Sequence, residues 1–215
     1  MSEVIAGKAL TPAAARELLE AVCARVIDSV DVLTAADQAI GDGDHGVAMR
    51  RGFAAALERL KAESSQSVEA MFKSVGDAVL SKAGGAAGAV FGTLFRSGAA
   101  AFGGREFNAG AFASFLERGL EGVEKRGGAR PGQKTMVDAL APAAEAARNA
   151  EADGLIAATS AAAQAAERGV ESTKAMVATT GKAKTLGERS LGHPDPGAVS
   201  VSLILDAMRD YAAKS

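Results

Sequence analysis

Apolar residues return every three or four positions through most of the chain, the period of helices that bury one face. Thr11-Pro12 reads as an N-cap followed by proline at the first helical position, and Leu18, Val22, Val26 and Val30 then recur at i+4, predicting a first amphipathic helix. Met49, Phe53, Leu57 and Leu60 predict a second; Val68, Phe72, Val75 and Val79 a third; Phe112, Phe115, Leu116, Leu120 and Val123 another. Met136 to Ala150, an alanine-rich stretch from about Leu155 to Glu167, and a last run through Val199, Leu203, Ala207 and Tyr211 complete the set. Strand-like alternation is essentially absent, and abundant alanine favours helix over sheet.

The breaks between these runs are glycine and proline clusters: Gly84-Gly85, Gly103-Gly104, Gly127-Gly128 with Pro131-Gly132, Asp153-Gly154, Gly181, and His193-Pro-Asp-Pro-Gly197. Connections this short make consecutive helices antiparallel neighbours. No Pro- or Ser-rich linker and no repeat of fixed period divides the chain. The expectation is an all-α fold, one domain over residues 1–215, built as a bundle or barrel of about eight antiparallel helices.

Composition narrows the function classes. With 215 residues, 48% hydrophobic and 23% charged, the chain reads as an ordinary globular protein. Its net charge is −2 and it has no Lys/Arg run, so it carries no electrostatic footprint for nucleic acid or an anionic membrane surface. It shows neither a secretory leader pattern nor an uninterrupted apolar window near the roughly 18 residues that a membrane span needs. The single Cys23 cannot form an internal disulfide. Set among Val22, Val26 and Ile27, it reads as a small buried hydrophobe rather than a nucleophile. A reducing, cytoplasmic setting is expected.

The chemistry concentrates in Ile40-Gly-Asp-Gly-Asp-His-Gly46 together with Asp37. Asp37, Asp42 and Asp44 fall within eight positions, and the intervening glycines let all three carboxylates point into one small volume. Unpaired, they would repel one another. Oxygen-only ligands suit a hard divalent cation such as Mg²⁺, which takes one or two carboxylates plus water and substrate phosphates. A plain cap-and-turn role for the three is the alternative. Gly41 to Gly46 formally matches G-x-G-x-x-G, but helical rather than strand character precedes it, so a dinucleotide fold is not indicated. An EF-hand fails because Phe53 stands where a bidentate Glu is required.

A second glycine-rich stretch, Lys82 to Thr93, leads into a helix and would let backbone N–H groups approach a phosphate. It lacks the Gly-Lys-Ser/Thr of a Walker A loop, and a tight helix crossing made by small residues explains it equally well. Asp195-Pro196 reads as an N-cap with a first-turn proline, so the last helix begins there with the positive end of its dipole. Lys134, Lys182, Lys184 and Arg189 are cations that either meet a phosphate or stand solvated. His45 and His193 lie in glycine-bearing loops, so core packing is not expected of either.

Four segments together resemble the nucleotide-binding L subunit of dihydroxyacetone kinase: Ala36 to Gly46, Gly84-Gly-Ala-Ala-Gly88, Gly128-Ala-Arg-Pro-Gly-Gln-Lys-Thr-Met-Val-Asp-Ala-Leu140, and Leu186 to Gly197. They occur in order over nearly the whole chain. The resemblance implies a barrel of eight antiparallel helices with a nucleotide across one end, its phosphates held through two Mg²⁺ ions. It implies Asp37, Asp42 and Asp44 as metal ligands, and His45, Gly46, Val47, Ala48, Ala86, Ala87, Gly127, Met136, Lys182, Asp195, Pro196 and Gly197 as ADP contacts. Two departures stand out: Ala87 replaces the usual serine and removes a hydroxyl donor, and Lys182 replaces the usual arginine, trading a bidentate fork for a point charge.

The implied function is phosphoryl transfer through Mg-ADP/ATP to dihydroxyacetone, or a similar small ketose, held covalently by a separate K subunit. The implied donor is a phosphoprotein of the phosphotransferase system fed from phosphoenolpyruvate. A subunit working with free ATP, one acting on a four-carbon ketose, and a nucleotide-sensing regulatory module are the competing readings. A homodimer is left open, and no catalytic side chain is assigned, because phosphoryl transfer needs positioning and charge neutralisation more than covalent help.

Overall fold

The Thr11 hydroxyl accepts a hydrogen bond from the Ala14 N–H at 3.3 Å and Pro12 opens α1 (Pro12–Asp28), as the cap signal predicts. The computed structural model describes residues 9–64, 67–103 and 106–215, so Gly104 of the predicted Gly103-Gly104 break lies outside the described residues. The other helices are α2 (Val30–Ile40), α3 (His45–Ala62), α4 (Val68–Lys82), α5 (Gly85–Ala99), α6 (Ala109–Gly127), α7 (Val137–Asn149), α8 (Leu155–Thr173) and α9 (Pro196–Ala212). Short 3₁₀ segments cover Glu151–Asp153 and Lys182–Ser190, the latter kinked at Gly187. The only β feature among the described residues is an isolated bridge between Leu10 and Phe107.

The stripe predicted for the first helix runs too far. α1 ends at Asp28, and Val30 begins a separate helix whose buried face is Leu33, Asp37 and Ile40. The i+4 spacing carries across the one-residue break at Ser29, so periodicity alone does not reveal it. In α9 the inward face is Ala198, Val201, Ile204, Leu205, Ala207, Met208 and Ala212, so Ala207 of the predicted stripe is buried while Val199, Leu203 and Tyr211 are half-buried on its flank.

α1 packs on α3, each helix from α3 to α8 packs on the next, and α9 returns to α1, closing a ring of eight. This is the expected barrel. α2 stands outside it as a ninth helix, bridging α3 and α9. Small residues set the spacing where helices approach most closely. A Cβ on Gly76 of α4 would stand 2.8 Å from the Gly92 carbonyl oxygen of α5, so these helices touch backbone to backbone.

The interior is aromatic at its centre. Phe72 lies with its ring centroid 4.5 Å from Phe102, 4.9 Å from Phe115, 5.8 Å from Phe107 and 6.1 Å from Phe95. Each such ring contributes about 1.5–3 kcal/mol by leaving water. Cys23 is buried within the wall, and burial pushes its thiol up to about 12, which makes it an inert hydrophobe as expected. No described helix is long and apolar enough to cross a membrane.

Candidate functional site

Because helices around the ring alternate in direction, the N-termini of α3, α5, α7 and α9 gather at one end. They surround a cavity of about 560 Å³. His45, Val47 and Ala48 line it from α3, Gly85 to Ala87 from α5, Val137 from α7, and Pro196 and Gly197 from α9. Each helix start presents N–H groups without intrahelical acceptors and the positive end of its dipole, so the cavity suits an anion. The wall also carries Ile40, Val90, Phe91, Val123 and Met136, an apolar side that suits a flat aromatic group.

The acidic loop forms one edge. One carboxylate oxygen from each of Asp37, Asp42 and Asp44 lies within 4.8 Å of the others. Asp37 is buried on the inward face of α2, and its carboxylate accepts the His45 N–H at 3.1 Å. Asp44 holds the N-cap position of α3 but its side chain makes no capping bond. Capping therefore accounts for Asp37, and Asp42 makes a turn contact with the Asp44 backbone, but the cap-and-turn alternative leaves Asp44 unexplained.

Those two exposed carboxylates are bridged by the Lys182 ammonium, which donates to Asp42 and, at 3.1 Å, to Asp44. The contact with Lys182 holds the Asp42 carboxyl below its ordinary range and raises the Lys182 ammonium above its own. The lysine occupies the position of positive charge among three acids, and a Cβ at Gly41 would collide with the Asp37 carboxylate. Donor chemistry and cramped geometry both fit a hard divalent cation.

The glycine-rich turn is shaped by its backbone. Gly84 and Gly85 have φ of 76° and 60°, values open to glycine and costly for residues with a Cβ. From α3, Arg51 reaches over this turn. Its Nε donates to the Lys82 carbonyl at 2.5 Å, and its guanidinium also donates to the Ala83 carbonyl. No motif in the sequence singles out Arg51. Its position one and two turns after Ala48 and Asp44, at i+3 and i+7, places it on the same helix face.

The structure brings Asp37, Asp44, His45, Val47, Ala48, Ala86, Ala87, Gly127, Met136, Lys182, Asp195, Pro196 and Gly197 to one cavity wall, with Asp42 at the rim. Gly46 is not on that wall. An added Cβ there would crowd the Val30 carbonyl and stand 2.7 Å from the Thr34 nitrogen, so this glycine lets α3 start against α2.

Expectations for the histidines and lysines divide. His45 is only 9% exposed, with Nε2 2.8 Å from the Ser200 hydroxyl and its ring beside Phe91, so it packs into the structure after all. Burial lowers its basicity. His193 and Lys184 are exposed. Lys134 is not the solvated charge that it could have been: it is 2% exposed and its ammonium donates to two backbone carbonyls.

Asp195 caps α9 as predicted, its carboxylate accepting the Ala198 N–H at 2.8 Å. Burial of that carboxyl pushes it up to about 7. The folded state then holds a proton that the unfolded chain releases near pH 4, so this group's contribution to stability falls as pH rises from about 4 to 7. Asp195→Asn keeps the cap and removes the titration. In the nucleotide-free protein its melting temperature relative to wild type is expected to rise between pH 5 and pH 8, at about 2–4 °C per kcal/mol. A pH-independent difference in thermal melts would contradict this assignment.

The comparisons with known proteins concern the family and the fold. Residues 39–210 match the model of the DAK2 domain family. The chain is 40% identical over 187 residues to the "PEP-dependent dihydroxyacetone kinase, ADP-binding subunit DhaL" of Escherichia coli, covering 86% of this chain and 89% of that subunit. It is 38% identical over 185 residues to the ADP-binding subunit of PEP-dependent dihydroxyacetone kinase 1 of Listeria innocua, covering 86% and 88%. Among solved structures, the dihydroxyacetone kinase from C. freundii in complex with AMP-PNP and Mg²⁺ superposes with a TM-score of 0.72 at 22% identity. That likeness covers 98% of this chain and 36% of the larger one, and it concerns the fold. With a family match across most of its length and identity above 30% to full-length relatives, the chain belongs to the DAK2 domain family, of the L-subunit type that its four signature segments resemble.

Proposed function

We propose that this chain is the nucleotide-binding phosphotransferase subunit of a dihydroxyacetone kinase, with residues 1–215 forming one ADP- and Mg²⁺-binding domain. The observation that supports it best is the convergence of three carboxylates and four helix N-termini on one cavity with an apolar side. Asp37, Asp42 and Asp44 would hold two Mg²⁺ ions. When bound, the ions would neutralise charge on the phosphates.

The chain's own residues do the positioning. The backbone N–H groups at Gly85 to Ala87 and at the start of α9 orient the phosphates, and the wall formed by Ile40, Val90, Phe91 and Met136 receives the base and excludes water from it. With cations held by those carboxylates, Lys182 would be free of Asp42 and Asp44 and would serve the nucleotide as a point charge. With Ala87 lacking a hydroxyl donor and Lys182 lacking the fork of an arginine, altered nucleotide affinity or dwell time is expected rather than lost chemistry. Cytoplasmic location belongs to the same reading. So do the partners: a K-type subunit carrying the ketose and a phosphoprotein donor of the phosphotransferase system.

Mass analysis of what co-purifies with the protein tests this reading. Bound ADP that becomes ATP when the phosphorylated donor is supplied is the expected result. A nucleotide-free protein that supports no transfer to dihydroxyacetone on the K-type subunit would overturn it.

A further inference from the structure

Lys134 is the one non-glycine with positive φ among the described residues, at 59°, a backbone region costly to a side chain with a Cβ. It sits in the cavity wall, yet its ammonium turns away from the space. Nζ donates to the Thr173 carbonyl at 2.5 Å and to the His193 carbonyl at 2.6 Å, residues 39 and 59 positions away in the chain. Thr173 ends α8, where the negative end of the dipole favours a cation, and its carbonyl also accepts the Met176 N–H at 3.1 Å.

The same threonine holds the next element. Its hydroxyl accepts the Asp195 N–H at 3.0 Å, and Asp195 caps α9. On the other side, a Cβ at Gly197 would lie 3.2 Å from the Met136 Cβ, so the strap around Lys134 and the start of α9 are in close contact. One side chain therefore ties together the strap 132–136, the end of α8 and the loop that leads into α9.

We infer that Lys134 is a positioning residue: it clamps the α8 C-terminus and the His193 loop so that the Asp195-Pro196-Gly197 turn and Met136 are held in place for a nucleotide, without touching phosphate itself. The inference rests on the nucleotide reading of the cavity but makes a separate claim about how the cavity is shaped. Removing the ammonium takes a donor from the His193 carbonyl, leaves the Thr173 carbonyl with the Met176 N–H alone, and frees the strap from its strained backbone. These changes loosen the α9 turn.

Affinity for adenosine, AMP and ADP, each measured by competition on the full chain, separates a clamp from a phosphate contact. Lys134→Met is expected to weaken all three by a common factor of roughly ten- to a hundredfold. Unchanged affinities, or a loss confined to the phosphorylated ligands, would overturn the inference.

Thr173→Val removes the hydroxyl that accepts the Asp195 N–H and donates to the Val170 carbonyl within α8, and it is expected to give a smaller loss, again uniform over the three ligands. Should Lys134→Met not fold, Thr173→Val carries the test by the same outcomes. Hydrogen exchange on the nucleotide-free protein gives a readout independent of binding. In Thr173→Val, amides from 195 to 199 are expected to exchange about tenfold faster while those opening α3 and α5 do not change. Equal protection at 195–199 in variant and wild type would overturn the clamp even if the wild type bound no nucleotide, an outcome that would instead sink the nucleotide reading.

Discussion

Asp42→Ala or Asp44→Ala is expected to reduce phosphoryl transfer to dihydroxyacetone by about a thousandfold or more, with the helical fold intact. Both carboxylates are exposed and neither caps α3, so their loss leaves the core untouched. Exposed changes of this kind stay within about 0.5 kcal/mol of wild-type stability. The transfer step has no such tolerance, because a metal ion's share of charge stabilisation is several kcal/mol and about 1.4 kcal/mol corresponds to each tenfold in rate. Transfer assays with the K-type subunit, run beside far-UV circular dichroism, check the pair of outcomes. Loss of helix content, or transfer at the wild-type rate, would contradict the assignment. Asp37→Ala is a less clean test, since the buried Asp37 carboxylate also accepts the His45 N–H.

Phe72→Ala is expected to do the reverse. Its ring is fully buried against Phe95, Phe102, Phe107 and Phe115, and none of these lines the nucleotide cavity. Truncation removes the ring's burial and leaves a void that rigid neighbours fill poorly, costing about 3–5 kcal/mol. For a chain of this size the melting temperature is expected to fall by roughly 10–15 °C. Well below that temperature Mg-ADP affinity is expected to equal wild type, because the site is built from helix ends rather than from the aromatic centre. A melting temperature within about 2 °C of wild type would show that the cluster is not the centre of the core. Lost affinity in the still-folded variant would show that core and site are coupled.

Local chemistry is what the sequence exposes most directly. Caps and glycine breaks depend on a few adjacent residues, so Thr11-Pro12, Asp195-Pro196 and Gly84-Gly85 are legible from the order of residues alone. The acidic trio is legible for the same reason. The break at Ser29 is not, because hydrophobic spacing continues in phase from Val26 to Val30. The inward face of α9 is obscured because buried Ser200 and Ser202 interrupt its apolar pattern; Ser200 is buried as the partner of His45. His45 itself reads as a loop residue because glycines flank it, although Gly46 is there to let α3 approach α2.

Other features are out of reach of such reading because they depend on distant parts of the chain. Closure of the ring by α1 against α9, and the position of α2 outside it, are contacts between elements far apart in sequence. Lys134 is the sharpest case. Nothing local marks it as buried, because its two acceptors, the Thr173 and His193 carbonyls, arrive from the far side of the fold.

The central claim is that three carboxylates at the end of the barrel hold magnesium and that magnesium holds the diphosphate of a nucleotide. A crystal structure of this chain grown with ADP and Mg²⁺ addresses it directly. Metal ions bonded to Asp37, Asp42 and Asp44 are expected, with the β-phosphate on those ions and the base against Val90 and Met136. ADP lying elsewhere, or Lys182 still bridging Asp42 and Asp44 beside an empty cavity, would contradict it.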